Sequence, residues 1–106
     1  MIVILKHAAI VTLAFSFVLP AFGEGSGADT FKIRCAMCHG ADGKANTPAG
    51  KAFKAVSLRD PMVVNSSDEE LDTIVKNGKN KMPSFKDKLS EDQVKAVITY
   101  IRTLPD

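Results

Sequence analysis

Two cysteines three positions apart, with histidine directly after the second, constrain this chain more than anything else in it: Cys35-Ala36-Met37-Cys38-His39. That run is the attachment signature of a covalent haem. On a helix Cys35 and Cys38 stand at i and i+3, and Cys35 and His39 at i and i+4, so all three side chains leave nearly one face. Two sulfurs can then bond a porphyrin edge while the adjoining imidazole reaches the iron.

Other chemistries also use paired cysteines, and these two are the only ones in the chain. A disulfide between them would be at home in an exported protein, but it would close a tiny loop and constrain the unfolded chain little. A thioredoxin-like dithiol expects a βαβ surrounding, and nothing here alternates strand with helix. A structural zinc site wants four ligands; Cys35, Cys38 and His39 are three, and no later histidine completes the set.

Lys6 and His7 precede an apolar run from Ala8 to Leu19, and Pro20-Ala21-Phe22-Gly23 then offers small residues before Glu24. Charged start, short apolar middle and small-residue exit describe a secretory signal. The run is shorter than the ~20 residues that span a bilayer, so an uncleaved anchor is the weaker reading. Residues 1–23 are therefore expected to be a cleaved signal peptide and residues 24–106 a single domain. Without Lys6, the 14 Lys and Arg become thirteen against 12 Asp and Glu, a net charge of +1. That balance is not one for binding nucleic acid. Two haem propionates would bring it to about −1, so charge recognition must come from local patches. A domain this small has a marginal apolar core of its own, and a buried porphyrin would complete it.

The domain reads as all-α. A helix is expected from Ala28 or Asp29, with Asp29 as candidate cap, through Phe31 into the haem motif, after a flexible Glu24-Gly25-Ser26-Gly27. Gly40-Ala41-Asp42-Gly43 ends it in a turn. Lys44 to Pro61 reads as loop with a short helical turn near Ala52 to Ala55. Ser67-Asp68-Glu69-Glu70 and Ser90-Glu91-Asp92-Gln93 are two capping boxes. Each leads into an apolar stripe: Leu71, Ile74 and Val75 in the first, Val94, Val97, Ile98 and Ile101 in the second. Gly78 stops the first of these helices, and a dozen irregular residues separate it from Ser90.

Haem iron held by His39 has a second axial position. After signal removal His39 is the only histidine, so a thioether is the strongest candidate. Met37 lies within the motif on the wrong side of the ring, and Met62 follows Pro61 as a candidate core residue. Met82 sits in Lys81-Met82-Pro83-Ser84-Phe85, where a loop can wrap the far porphyrin face. Pro83 biases Met82 towards extended backbone and limits the loop's swing. The competing reading makes Met82 a gap-filling core methionine.

Taken together, Cys35-Ala36-Met37-Cys38-His39-Gly40, Thr47-Pro48-Ala49-Gly50-Lys51, Met82-Pro83-Ser84-Phe85 and a C-terminal helix containing Tyr100 resemble a class I c-type cytochrome. The likeness is to the small single-haem bacterial and photosynthetic-type members, and it covers essentially all of residues 24–106. It implies the small cytochrome c fold, three to four helices around one covalent haem c. It also implies His39 and Met82 as axial ligands, and a contact of Phe31 with Tyr100 where the first and last helices cross. The family often orients its ligand histidine through a proline carbonyl, and Pro48 is the matching candidate.

An iron with both axial positions filled by protein changes oxidation state without binding substrate. No nucleophile is paired with a base, and there is no phosphate loop. The expected function is therefore a soluble one-electron carrier between periplasmic or membrane redox enzymes, not an enzyme. The alternatives are a haem sensor or small peroxidase with a displaceable Met82, or a dedicated electron-transfer subunit of a larger oxidoreductase. Lys76, Lys79, Lys81, Lys86 and Lys88 crowd around Met82, and Lys44, Lys51 and Lys54 follow the haem motif. Part of this set could steer docking to acidic redox partners, or it could be ordinary solubilising charge. Asp68, Glu69, Glu70 and Asp72 read as a solvated helix start rather than a calcium site. The expected setting is a monomer in the periplasm, or in a thylakoid-lumen-like compartment, without stable membrane insertion.

Overall fold

The helices that enclose the centre of the domain start where side chains can replace missing backbone partners. The computed structural model describes residues 2–4, 8–16 and 25–106. Ser67 caps the Glu70 N–H while the Glu70 carboxylate accepts from the Ser67 N–H, which opens α5 (Asp68–Asn77). Ser90 and Gln93 repeat the exchange at the start of α6 (Glu91–Arg102). Both capping boxes form as their spacing predicts, satisfying donors that a helix start otherwise leaves orphaned. The apolar stripe of α6 is then fully used: Val94, Val97, Ile98 and Ile101 are all buried. On α5, Leu71 and Val75 are buried against it. Each such side chain contributes roughly 1.5–3 kcal/mol relative to exposure.

The first helix, α1 (Gly27–Arg34), starts earlier than the sequence suggested. Its cap is Ser26, whose hydroxyl accepts from the Asp29 N–H, so Asp29 occupies the first turn instead of capping it. Gly27 is likewise no part of a loose lead-in. A Cβ there would lie 2.1 Å from the Ala96 carbonyl oxygen, so the absence of a side chain lets α1 cross α6 at close range. Phe31 and Tyr100 meet at the same crossing with ring centroids 5.3 Å apart and planes tilted by 51°, an arrangement aromatic pairs favour. Phe31 is almost wholly buried.

Three single-turn helices connect these long ones. They are α2 (Ala36–His39), α3 (Pro48–Ala52) and α4 (Pro61–Val64). Two begin with proline directly after a capping side chain, Thr47 for α3 and Asp60 for α4. Proline suits that first position because its missing N–H would have had no partner there. The expected turn near residues 52–55 is thus displaced to α3, and α4 is an addition to the expected pattern. Among the described residues the only strand-like feature is an isolated bridge between Lys79 and Met82.

Residues 2–4 and 8–16 have no regular structure, and Ile10 and Phe15 lie exposed. The expected cleavage segment Ala21 to Gly23, with Lys6 and His7, lies outside the described residues.

Candidate haem site

Cys35 interrupts what the sequence suggested would be one continuous helix. It closes α1 and opens α2 with φ −118° and ψ −36°, and a single turn then carries Cys38 and His39. The bonds from Cys38 N and His39 N to the Cys35 carbonyl (3.2 and 3.0 Å) keep that turn tight. Despite the break, Cys35, Cys38 and His39 all line one cleft of about 440 Å³. That volume falls within the range of about 300–1,000 Å³ usual for cofactor pockets. Adjoining the cleft, an almost entirely apolar recess of about 90 Å³ reaches Phe31, Val97 and Ile101 in the core.

Both cysteines are free thiols and half-buried. Burial pushes the Cys35 thiol up to about 11, because a thiolate is poorly solvated there. Burial also holds His39 below its ordinary value, against the opposing pull of a hydrogen bond to the Val56 carbonyl. That bond fixes the ring. His39 Nδ1 lies 2.9 Å from the Val56 oxygen, and a carbonyl can only accept, so Nδ1 carries the proton. Nε2 therefore presents its lone pair, as a metal-ligating imidazole must.

The orienting carbonyl is that of Val56, not of Pro48 as the family resemblance suggested. Pro48 sits at the first position of α3, where its carbonyl is directed along the helix. The segment reaches the haem motif through its neighbour instead. Thr47 Oγ1 donates to the Met37 carbonyl at 2.6 Å and accepts from the Gly50 N–H at 2.9 Å. Val56 is held by flanking backbone bonds, Ala55 N to Gly50 O at 2.8 Å and Leu58 N to Gly43 O at 2.7 Å. No side-chain pattern could have singled Val56 out, because any residue supplies a carbonyl.

Met82 lines the same cleft and recess, half-buried against the core. Its loop is a tight hairpin. Lys79 N donates to Met82 O at 3.2 Å, Met82 N donates to Lys79 O at 2.9 Å, and Asn80 takes a left-handed φ of 54°. Gly78 makes the turn possible. Its φ is 76°, and a Cβ there would lie 2.6 Å from the Met82 carbonyl oxygen. On the far side Ser84 Oγ donates to the Lys76 carbonyl, and Phe85 N donates to Val75 O at 3.0 Å. These bonds satisfy the last carbonyls of α5 and strap the methionine loop to a rigid helix.

Met37 and Met62 also reach the cleft, but both are 74% exposed. Of the lysines, Lys54, Lys79 and Lys81 line the cleft together with Arg34, against the single carboxylate of Asp60. Lys76 is engaged by Asp72 at 2.9 Å and Glu91 at 3.4 Å, and Lys88 lies over the Phe85 ring. Lys44, Lys51 and Lys86 do not line it. The donor set fits an iron porphyrin: two free thiols, an imidazole with its lone pair free, a thioether, and apolar walls from Val63, Leu71 and Ile74.

Comparison with known proteins bears on the family of the chain. A family model described as cytochrome c oxidase, cbb3-type, subunit III matches residues 24–101. The chain is 35% identical over 95 residues to cytochrome c6 of Gloeothece citriformis, covering 88% of this chain and 84% of that protein. Among solved structures it is similar to the c-type cytochrome KustC0563, with a TM-score of 0.70 and 28% identity over 77% of this chain and 100% of that one. Cytochrome c6 from the diatom Phaeodactylum tricornutum superposes with a TM-score of 0.54 and 27% identity, covering 74% of this chain and 92% of that one.

Proposed function

The chain belongs to the class I c-type cytochromes, and from that membership we propose that Cys35 and Cys38 hold one haem c by thioether bonds, with His39 and Met82 as its axial ligands. It is an electron-transfer protein, not an enzyme. The observation that carries the site assignment is the convergence of both thiols, the His39 ring and the Met82 thioether on one apolar-walled cleft.

Haem c, when bound, supplies a one-electron iron couple whose potential a methionine–histidine ligand pair raises. The residues of the chain hold that couple in a fixed setting. The Val56 carbonyl keeps the His39 ring in one tautomer and orientation, which makes the imidazole a better donor. The Gly78 turn and the Ser84 and Phe85 bonds keep the Met82 loop from swinging away. Val63, Leu71 and Ile74 keep water from the cleft walls, which favours the less charged oxidation state. A site with the same ligands in both states needs little rearrangement per electron.

Its partners are redox proteins. The surplus of Arg34, Lys54, Lys79 and Lys81 over Asp60 around the cleft supports docking to acidic surfaces, with attraction raising the rate of encounter. Residues 1–23 act as an export signal to the periplasm or a lumen-like compartment. The leader pattern supports this, and so does the exposure of residues 8–16 away from the core. No helix among the described residues is long and apolar enough to cross a membrane.

A redox titration of purified holoprotein, with the visible spectrum recorded at each step, tests the reading. It predicts a single one-electron wave with low-spin spectra and a weak sulfur-to-iron band in the oxidised form. A five-coordinate iron that binds carbon monoxide would favour a gas-binding haem protein instead. Electron-transfer rates to a partner that do not change with salt would remove the steering role of the lysines.

A further inference from the structure

Helix α4 is four residues long, too short to hold its own position, yet it carries two residues of the cleft wall, Met62 and Val63. Its place is set from the other end of the domain. Arg102, the last residue of α6, spreads its guanidinium over the end of α4 and the turn into α5. Nη1 donates to the Val63 carbonyl at 3.3 Å and the Val64 carbonyl at 3.1 Å. Nη2 donates to the Ser66 carbonyl at 2.5 Å. Nε and Nη2 both reach Asp68 Oδ1, at 3.1 and 3.0 Å.

Three backbone carbonyls and one carboxylate thus converge on one planar group. The ion pair alone has little force, since Asp68 is 74% exposed. The carbonyl contacts matter more. They take up the acceptors that the end of α4 exposes, and they need several donors in a fixed fork, which arginine has and lysine lacks.

We propose that Arg102 is a positioning residue for the haem cleft, holding Val63 and Met62 in the cleft wall and so controlling water and ligand access to the iron. The inference rests on the haem assignment above. Loosening α4 would admit solvent, which stabilises the more charged oxidised iron and lowers the reduction potential.

The test compares haem-loaded wild type with Arg102→Gln, Arg102→Lys and Asp68→Asn, reading the midpoint potential and the rate of cyanide binding to the oxidised protein. Arg102→Gln is expected to lower the potential and speed cyanide binding several-fold. Arg102→Lys keeps the charge opposite Asp68 but not the fork, and is expected to do nearly the same. Asp68→Asn leaves the carbonyl contacts in place and is expected to stay close to wild type. If Arg102→Gln fails to assemble, the lysine variant alone decides. Arginine variants that unfold more readily but keep the wild-type potential and cyanide rate would make Arg102 merely structural and overturn the proposal. Wild-type protein lacking covalent haem would instead refute the functional reading beneath it.

Discussion

Replacing Gly78 by alanine tests the idea that the end of α5 places Met82. At φ 76° and ψ 168° the backbone lies in a region essentially reserved for glycine, and holding an L-residue there costs about 1–3 kcal/mol. The added Cβ would also lie 2.6 Å from the Met82 carbonyl oxygen and 2.9 Å from both Pro83 C and Ser84 N. All three are backbone atoms, so the loop itself must move, and overpacking of this kind costs about 1–3 kcal/mol. The sum is about 2–6 kcal/mol, a large share of the roughly 5–15 kcal/mol that stabilises a typical domain. The assay is urea unfolding of holoprotein together with the intensity of the sulfur-to-iron band. Gly78→Ala is expected to lose stability in that range and to weaken the band, because the strained atoms belong to Met82 and the two residues after it. A Gly78→Ala protein within about 0.5 kcal/mol of wild type, with its band intact, would refute the reasoning.

Met82→Ala is expected to abolish the sulfur-to-iron band, open the iron to carbon monoxide and lower the potential, whereas Met62→Ala keeps the band. The reverse pattern, read from the same spectra, would transfer the ligand role to Met62. Cys35→Ala and Cys38→Ala are each expected to leave one thioether or to fail maturation, as denaturing mass spectrometry would show; normal two-bond attachment in both would reject the motif assignment. Phe31→Ala, which empties an almost wholly buried site at the α1–α6 crossing, is expected to cost about 3–5 kcal/mol in urea unfolding. A loss below about 1 kcal/mol would mean that crossing contributes little.

The parts of the fold legible beforehand are those whose physics is local. Ser67 with Glu70, and Ser90 with Gln93, announce helix starts through reciprocal bonds three residues apart. The spacing of Cys35, Cys38 and His39 carries its geometry even across the break at Cys35. The Met82-Pro83 segment reveals itself by chain stiffness, although the turn that presents it depends on Gly78 meeting a backbone four residues later. What the sequence does not disclose involves partners without a side-chain signature. The His39 acceptor is a backbone carbonyl seventeen positions on. Gly27 looked like loop because its role is a close approach to a helix far along the chain. Arg102 contacts three carbonyls more than thirty-five residues away, which no periodicity encodes. Ser26 is different: Ser26 with Asp29 has cap spacing that could have been recognised.

The most direct measurement is the proton NMR spectrum of the reduced holoprotein, in which a methyl group held against a haem face feels the full ring current. With Met82 on the iron, its methyl resonance is predicted far upfield of every ordinary methyl signal, and it disappears in Met82→Ala. A reduced spectrum with no such resonance, or one that survives that substitution, would contradict the account.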